Sequence, residues 1–416
     1  MNRIKRLIGL FVILGLIGGA APVENVKADT LYRVNVLVDD FHTPCTQIQC
    51  SLRAAINAAN PGETIRFAES LSRGIIYLQE EIVLDKDINI DGSSLDEHIN
   101  ISGENDHRVF YVNQGVTAKF VNINIVDGLP WGEYGGAIFN DNATVTLDHV
   151  EVTGHIMSAI YNNSDDVIDP AAKLNVRNSY FAGNAGGDGG AIGGKGTVDI
   201  SNSYFVNNNA TSDGGAIHHL SGLIRITNST FSENYAQKGG AVSLDHGELD
   251  ITNSTFYENY ASLYAGGAVL AGDGTNVSIS NCTFSDNTAT VDGASLSVTG
   301  FSTLALNNNI FANNGMKNYC NISNSVSFTY TNNLLQTLPH DNQCGAAIIV
   351  DDPLLGGLTD NGGDTLTMMP NYLSPVIDAG DNTTCELTDQ RGIKRPIDGD
   401  KDSIAVCDIG AVEFNH

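Results

Sequence analysis

The chain has 416 residues, with 21 Lys+Arg against 48 Asp+Glu and a formal net charge of −27 at pH 7. An acid surplus of that size excludes a basic surface for nucleic acid or anionic membranes, so no nucleic-acid partner is expected. With 44 Gly and few charged helix-forming stretches, the composition favours a turn-rich β structure.

Arg3, Lys5 and Arg6 open the chain, an apolar run follows from Leu7 to Ala21, and Val26-Lys27-Ala28 supplies a cleavage site before Asp29. This is the pattern of a secretory signal peptide over residues 1–28. The apolar run is short for a bilayer span, so no transmembrane anchor is expected after cleavage. Residues 29–62 read as an N-terminal cap. Leu31 to Val38 is apolar and β-branched, which suits a strand. Ser51 is a good helix N-cap, an Ala-rich stretch follows it, and Asn60-Pro61-Gly62 stops it. A short helix before the first repeat would cover the open core and strand edge of a solenoid.

Residues 63–350 carry the pattern that decides the fold. Weak strand signals at Thr64–Phe67, Ile75–Leu78, Ile82–Leu84 and Ile88–Ile90 lead into a motif that occurs six times: apolar, x, apolar, x, Asn, x, x, Phe, x, x, Asn. Its first Asn falls at Asn178, Asn202, Asn228, Asn253, Asn281 and Asn308, and its Phe at Phe181, Phe205, Phe231, Phe256, Phe284 and Phe311. The second Asn falls at Asn184, Asn208, Asn234, Asn259, Asn287 and Asn314. Successive Phe residues lie 24, 26, 25, 28 and 27 apart. A period in that range means stacked units that share one core. The apolar pair alternates with polar residues, which is a strand, and the odd step from Asn to Phe requires a corner. Asn tolerates left-handed backbone and suits that corner. Gly-Gly-Ala followed by Ile or Val, as at 189–192, 214–217, 239–242 and 266–269, marks another bend. The predicted fold is all-β: a parallel β-helix with two or three short strands per coil, stacked Asn and stacked Phe. A weaker copy at Val145 and Leu147 puts His149 and His155 in the two Asn slots, where turn residues bonding backbone are expected. Asn162 to Pro170, with Asp165, Asp166 and Asp169, reads as a protruding loop.

Residues 351–416 depart from the repeat and read as a C-terminal cap. The seven cysteines are Cys45, Cys50, Cys282, Cys320, Cys344, Cys385 and Cys407. Local pairing predicts Cys45–Cys50, Cys320–Cys344 and Cys385–Cys407, which leaves Cys282 as a free thiol in a slot mostly held by Ser. Export permits such bonds, and no paired C-x-x-C suggests metal.

Three stretches resemble known families. Cys50-Ser51-Leu52-Arg53 with Ala55-Ile56-Asn57-Ala58-Ala59-Asn60 resembles the CSLREA motif of secreted bacterial proteins, departing from it at Ala54. Asn361-Gly362-Gly363, Ser374-Pro375-Val376-Ile377-Asp378-Ala379-Gly380, Asp389-Gln390-Arg391-Gly392 and Cys407-Asp408-Ile409-Gly410-Ala411-Val412-Glu413 resemble the choice-of-anchor Q domain. The GGAI and F-x-x-N elements resemble the polymorphic outer-membrane protein repeat. Together these resemblances imply a right-handed, pectate-lyase-like β-helix that is exported or displayed at a cell surface, with no established activity. With two residues after Phe414, release rather than surface attachment is expected.

Chemistry has three candidate places. Asp188, Asp213 and Lys238 each precede a Gly-Gly pair, so stacking puts two acids and a base in one column. A lyase needs carboxylates that hold Ca²⁺ and a base for the proton alpha to a uronate carboxyl. The bland alternative is that Lys238 offsets two exposed acids. His218, His219, Arg225, Asp245 and His246 form a second group, with His219 one residue from Asp245 across the coil boundary. Acid–base work, a metal, or a solvated loop all remain open there. Asp398, Asp400 and Asp402 alternate in a short loop of the kind that binds Ca²⁺, without the twelfth-position acid of an EF-hand. The functional expectation is a secreted or cell-surface β-helix with a structural, adhesive or carbohydrate-binding role. Its partner would be polysaccharide or another surface component. The alternative is a polysaccharide lyase, such as a pectate lyase, or a glycosidase on the same scaffold, a fold-level analogy.

Overall fold

The computed structural model describes residues 32–165, 171–315, 318–336 and 344–415. The signal-peptide reading, Asp166 and Asp169 lie outside the described residues. Each coil passes through up to three main strand positions. The first runs from Ile82–Leu84 through Phe110–Val112, Ile138–Asp141 and Ile160–Asn163 to Cys320–Ile322. The second runs from Tyr32–Val34 through Thr64–Phe67 to Ser327–Thr331, and the third forms a 12-stranded sheet. Every ladder in these stacks is parallel, and about ten turns make a right-handed β-helix. In the middle coils the first two positions fuse into the long strands Ile192–Ser201, Ile217–Thr227 and Val242–Thr252. These bend at Gly196, Gly222 and Gly247, whose φ values are 120°, 118° and 112°. A Cβ at Gly222 or Gly247 would lie 2.1 Å from a carbonyl oxygen of the coil below. Only glycine fits a bend stacked that closely.

The repeat becomes a core by strand alternation. Leu174, Val198, Ile224, Leu249, Val277 and Leu304 stand in one register and are buried. The first Asn of each copy is the corner, with φ between 45° and 53° from Asn178 to Asn308. The Phe residues stack face to face inside, with centroids 4.7, 4.7, 5.1, 4.9 and 5.2 Å apart.

The second Asn of each copy builds a buried ladder. Asn259 Nδ2 donates to Phe231 O and to Asn287 Oδ1, both at 2.9 Å. Its Oδ1 accepts from Asn234 N–H at 3.1 Å and from Asn234 Nδ2 at 2.9 Å. All four bonds are fully buried, so none can be replaced by water. Asn259→Ala is expected to lower the unfolding free energy by at least about 2 kcal/mol in urea titrations, because buried partners lose their bonds. A loss below about 0.5 kcal/mol would show that the ladder does not stabilise the stack.

The helix Leu52–Ala58 covers the first coils, with Ser51 Oγ accepting from Ala54 N–H at 3.1 Å. Arg53 fixes it, forking onto Asp39 with two bonds of 2.8 Å and donating to the carbonyls of Glu80 and Glu81. The C-terminal segment lies along the flank of the third-position sheet. There Thr230 donates to Leu366 O, Thr255 to Gln390 Oε1, and Ala411 N–H to Thr283 Oγ1. Val376 and Ile409 pack with Ile310 and Ala312 in a small second core. Disulfides join Cys45 to Cys50, Cys320 to Cys344 and Cys385 to Cys407. Cys282 is free and buried, and burial pushes its thiol up to about 12, which leaves it inert.

Candidate functional site

Period-two alternation sends every second residue of the first-position strands outward. In one register row these are Tyr111, Phe139, Tyr161, Gly193, His218 and Ser243. After Val83, which pairs with Tyr111, the row is an aromatic surface. Tyr111 stacks on Phe139 at 5.1 Å, and Phe139 on Tyr161 at 5.6 Å. Tyr134, from a loop, stacks on Tyr161 at 4.6 Å. The Arg108 guanidinium supports this surface, 5.4 Å from the Tyr111 ring and 5.1 Å from Phe139. Gly193 then leaves the row without a side chain beside Tyr161, where a Cβ would sit 3.4 Å from the ring.

Beyond the gap the row becomes charged. His218 is 4% exposed, with Nε2 3.5 Å from Asp245 Oδ2, an ion-pair contact that makes no hydrogen bond. Burial pulls its imidazole down, but the close Asp245 carboxylate and the charges of Asp188 and Asp213 outweigh burial. The ring therefore holds its proton above the ordinary histidine value. The same contact, against burial, holds the Asp245 carboxyl below its ordinary value. Asp213 and Lys238 pair as neighbours on adjacent coils, with Lys238 Nζ 3.4 Å from the carboxylate and 5.2 Å from the Tyr264 ring centroid. Burial, Tyr134 and then Asp188 raise the Tyr161 phenol. Asp188 thus acts on both the aromatic and the histidine ends of the row.

His219 lies one residue from Asp245 on the next coil, as its alignment implies, but its side chain turns inward and takes no part in this group. It shares the inward phase of Ile217, is fully buried, and its Nε2 lies 3.0 Å from Gly196 O. Burial takes its pKa down to about 4. Arg225 faces Asp199 and Asp250 instead, at 3.3 and 3.9 Å, and His246 Nδ1 lies 2.8 Å from Asp273 O. His155 is also a core residue. Its Nδ1 accepts from Gly128 N–H and its Nε2 contacts Ile125 O, both at 2.9 Å. His149 is exposed, with left-handed backbone and Nδ1 2.9 Å from Asp148.

The acidic loop is also rearranged. Carboxylate oxygens of Asp378, Asp398 and Asp400 lie within 4.8 Å of one another, the one such group among the described residues. Asp378 takes the place expected for Asp402, because the Asp400 N–H donates to Asp378 Oδ2 at 2.7 Å. Asp402 turns away and caps the Ile404 N–H at 2.8 Å. These three carboxylates are the residues that could hold a hard cation such as Ca²⁺.

The aromatic surface can stack planar or ring-shaped ligand faces, and the charged end can hydrogen-bond or exchange protons. Coil and row together define a parallel β-helix protein whose outer row is aromatic at one end and, past Gly193, buried and charged at the other. The Chlamydia polymorphic membrane protein repeat matches residues 202–219, which is one F-x-x-N copy with its Gly-Gly-Ala-Ile bend. No curated protein sequence matches the chain. Among solved structures it is similar to a PL6 family alginate lyase, AlyGC, at 13% identity and a TM-score of 0.39, covering 92% of this chain and 60% of that one. A mutant of that lyase gives 12% identity and a TM-score of 0.34, covering 87% and 57%. The chain therefore spans about 60% of the length of the lyase it matches.

Proposed function

We propose that this is an exported β-helix protein that binds an extended polysaccharide along the outer strip of its first-position strands. The observation that carries the reading is the Tyr111–Phe139–Tyr161 row, three outward aromatic side chains in one register over adjacent coils. Spacing near 5 Å between coils gives a polymer repeated contacts along one line. Disulfides outside a repeat core, and the resemblance of the terminal segments to CSLREA and choice-of-anchor Q sequences, support export and a cell-surface setting. Among the described residues no helix is long and apolar enough to cross a membrane.

The reading predicts retention of the purified chain on insoluble polysaccharides. Tyr161→Ala should weaken that binding by about tenfold, the loss of one stacked contact, with folding intact by circular dichroism. Unchanged retention in Tyr161→Ala, or no retention on any polymer, would remove the strip from consideration.

A second reading, cleavage of the bound chain, rests on the cluster of His218 with Asp188, Asp213 and Asp245. A histidine whose pKa is raised by nearby carboxylates can donate a proton to a leaving oxygen, and a carboxylate can accept one. Reducing ends or unsaturated products, followed with and without Ca²⁺, test it. Product lost in His218→Gln would place catalysis there, and no product would leave binding alone.

A further inference from the structure

The loop that brings Tyr134 to the aromatic row also carries the chain's one tryptophan. Trp131 follows Pro130 in a tight turn in which Glu133 N–H donates to Pro130 O at 3.2 Å and Gly132 takes φ 75°. Proline before and a left-handed glycine after fix the backbone on both sides of the indole. The indole Nε1–H is tied to Asp106 Oδ1 at 2.9 Å, yet Trp131 is 74% exposed. A large apolar ring held in one orientation in solvent, with its polar edge already satisfied, offers its faces and nothing else.

Beside it lies a cavity of about 330 Å³. Its lining includes Glu80, Glu81, Asp106, His107 and Glu133, with Arg108 at its base. Arg108 is 5% exposed and holds Glu81 at 2.7 Å and Glu133 at 2.5 Å, so the two carboxylates are fixed rather than free to swing. The same guanidinium lies over Tyr111 and Phe139, which joins the cavity to the aromatic strip.

We infer that the Trp131 cavity is a sugar-binding subsite, which takes a neutral hydroxyl-rich ring on the indole face with its hydroxyls donated to Asp106, Glu81 and Glu133. The inference rests on the polysaccharide reading above and names the ligand class that reading leaves open. Four lining carboxylates against one guanidinium repel uronates and sulfated sugars. Fixed carboxylate acceptors suit donors, and sugar hydroxyls are donors on every side of the ring. A single indole face matches one ring and is too small to seat an apolar peptide, which needs several anchors.

The tryptophan makes the site report on itself. The full chain is titrated with soluble neutral oligosaccharides of glucan, xylan and mannan type, with oligogalacturonate as the charged probe, and Trp131 emission is followed. A saturable change with a neutral oligomer, persisting in high salt, is expected. Trp131→Ala should then raise the calorimetric Kd for that oligomer by about tenfold. Asp106→Ala, which unties the indole, should weaken binding less. Both changes are at exposed side chains, so a folded protein is retained. Retention on polysaccharide with no change in Trp131 emission and no effect of Trp131→Ala would overturn the subsite and leave the strip reading intact. Binding of oligogalacturonate alone would also overturn it. No retention on any polymer would remove both.

Discussion

Phe231→Ala lowers the free energy of unfolding by about 4 kcal/mol, the largest effect expected of any single substitution in the stack. Phe231 is fully buried between Phe205 at 4.7 Å and Phe256 at 5.1 Å, with interplanar angles of 3° and 7°. Removing the ring exposes two faces at once and leaves a void bounded by two other rings. The coils above and below are pinned by parallel ladders on either side, so the void cannot close without breaking register. Phe231→Leu fills part of the space and should cost about 1.5 kcal/mol. Urea unfolding followed by circular dichroism reads both. In a stacked fold each coil contacts its neighbours, so the loss can first appear as a separate early transition. A Phe231→Ala protein within 1 kcal/mol of the parent would mean that the aromatic column adds little beyond area burial.

The second large effect is acid sensitivity set inside the core. His155 and His219 are fully buried, and burial lowers each pKa to about 4 against an ordinary value of 6.5. As pH falls below 6.5 the unfolded chain takes up these protons while the native rings stay neutral. Stability attributable to them is complete above about pH 6.5, declines as pH falls towards 4, and is gone below it. For His155 the cause is visible. Its Nδ1 accepts from Gly128 N–H, so a proton there would remove the acceptor and strand a buried donor. A shift of this size corresponds to between about 3 and 4 kcal/mol per ring at its limit.

Asp408 works in the opposite direction. Burial first and then the Glu413 charge raise its pKa to about 7, so its contribution is present at low pH and lost as pH rises. The net pH profile of the parent therefore understates the histidine effect. His219→Leu isolates it, since Leu244 already occupies the same register on the next coil. The difference in stability between parent and His219→Leu should move by about 3 kcal/mol between pH 7 and pH 4, against the parent. A difference that does not change with pH would mean that His219 is not held neutral.

The regular coils were legible because their loops are nearly equal in length. Phe residues 24 to 28 apart display the period directly. The outer strip was not legible. Tyr111, Phe139, Tyr161 and Gly193 are 28, 22 and 32 apart, because loops of different length intervene, and only the ladder puts them in one row. Trp131 sits in one of those loops. The inward turn of His219 was missed although the needed signal was present, since counting by two from Ile217 turns His219 inward and His218 outward. The Asn corners were read correctly as corners, but the buried ladder belongs to the second Asn of each copy. The acid group in the C-terminal segment needed Asp378, which lies 20 residues before Asp398 and reaches it through tertiary folding.

The flank-lying C-terminal segment limits how this protein can change its length. A solenoid of interchangeable coils can in principle gain or lose a unit wherever two neighbours meet. Here Thr230, Thr255, Thr283 and Ile310 stand on four successive coils, and residues between Leu366 and Ala411 are matched to them, Gln390 bonding to both Thr230 and Thr255. A duplicated coil inside that stretch would shift every later partner by one strand spacing and leave the polar matches facing the wrong rung. A duplication before Tyr204 would disturb none of them. Growth and shrinkage of the molecule in evolution, or by design, should therefore be confined to the half that carries the aromatic strip, and a longer protein would have a longer strip.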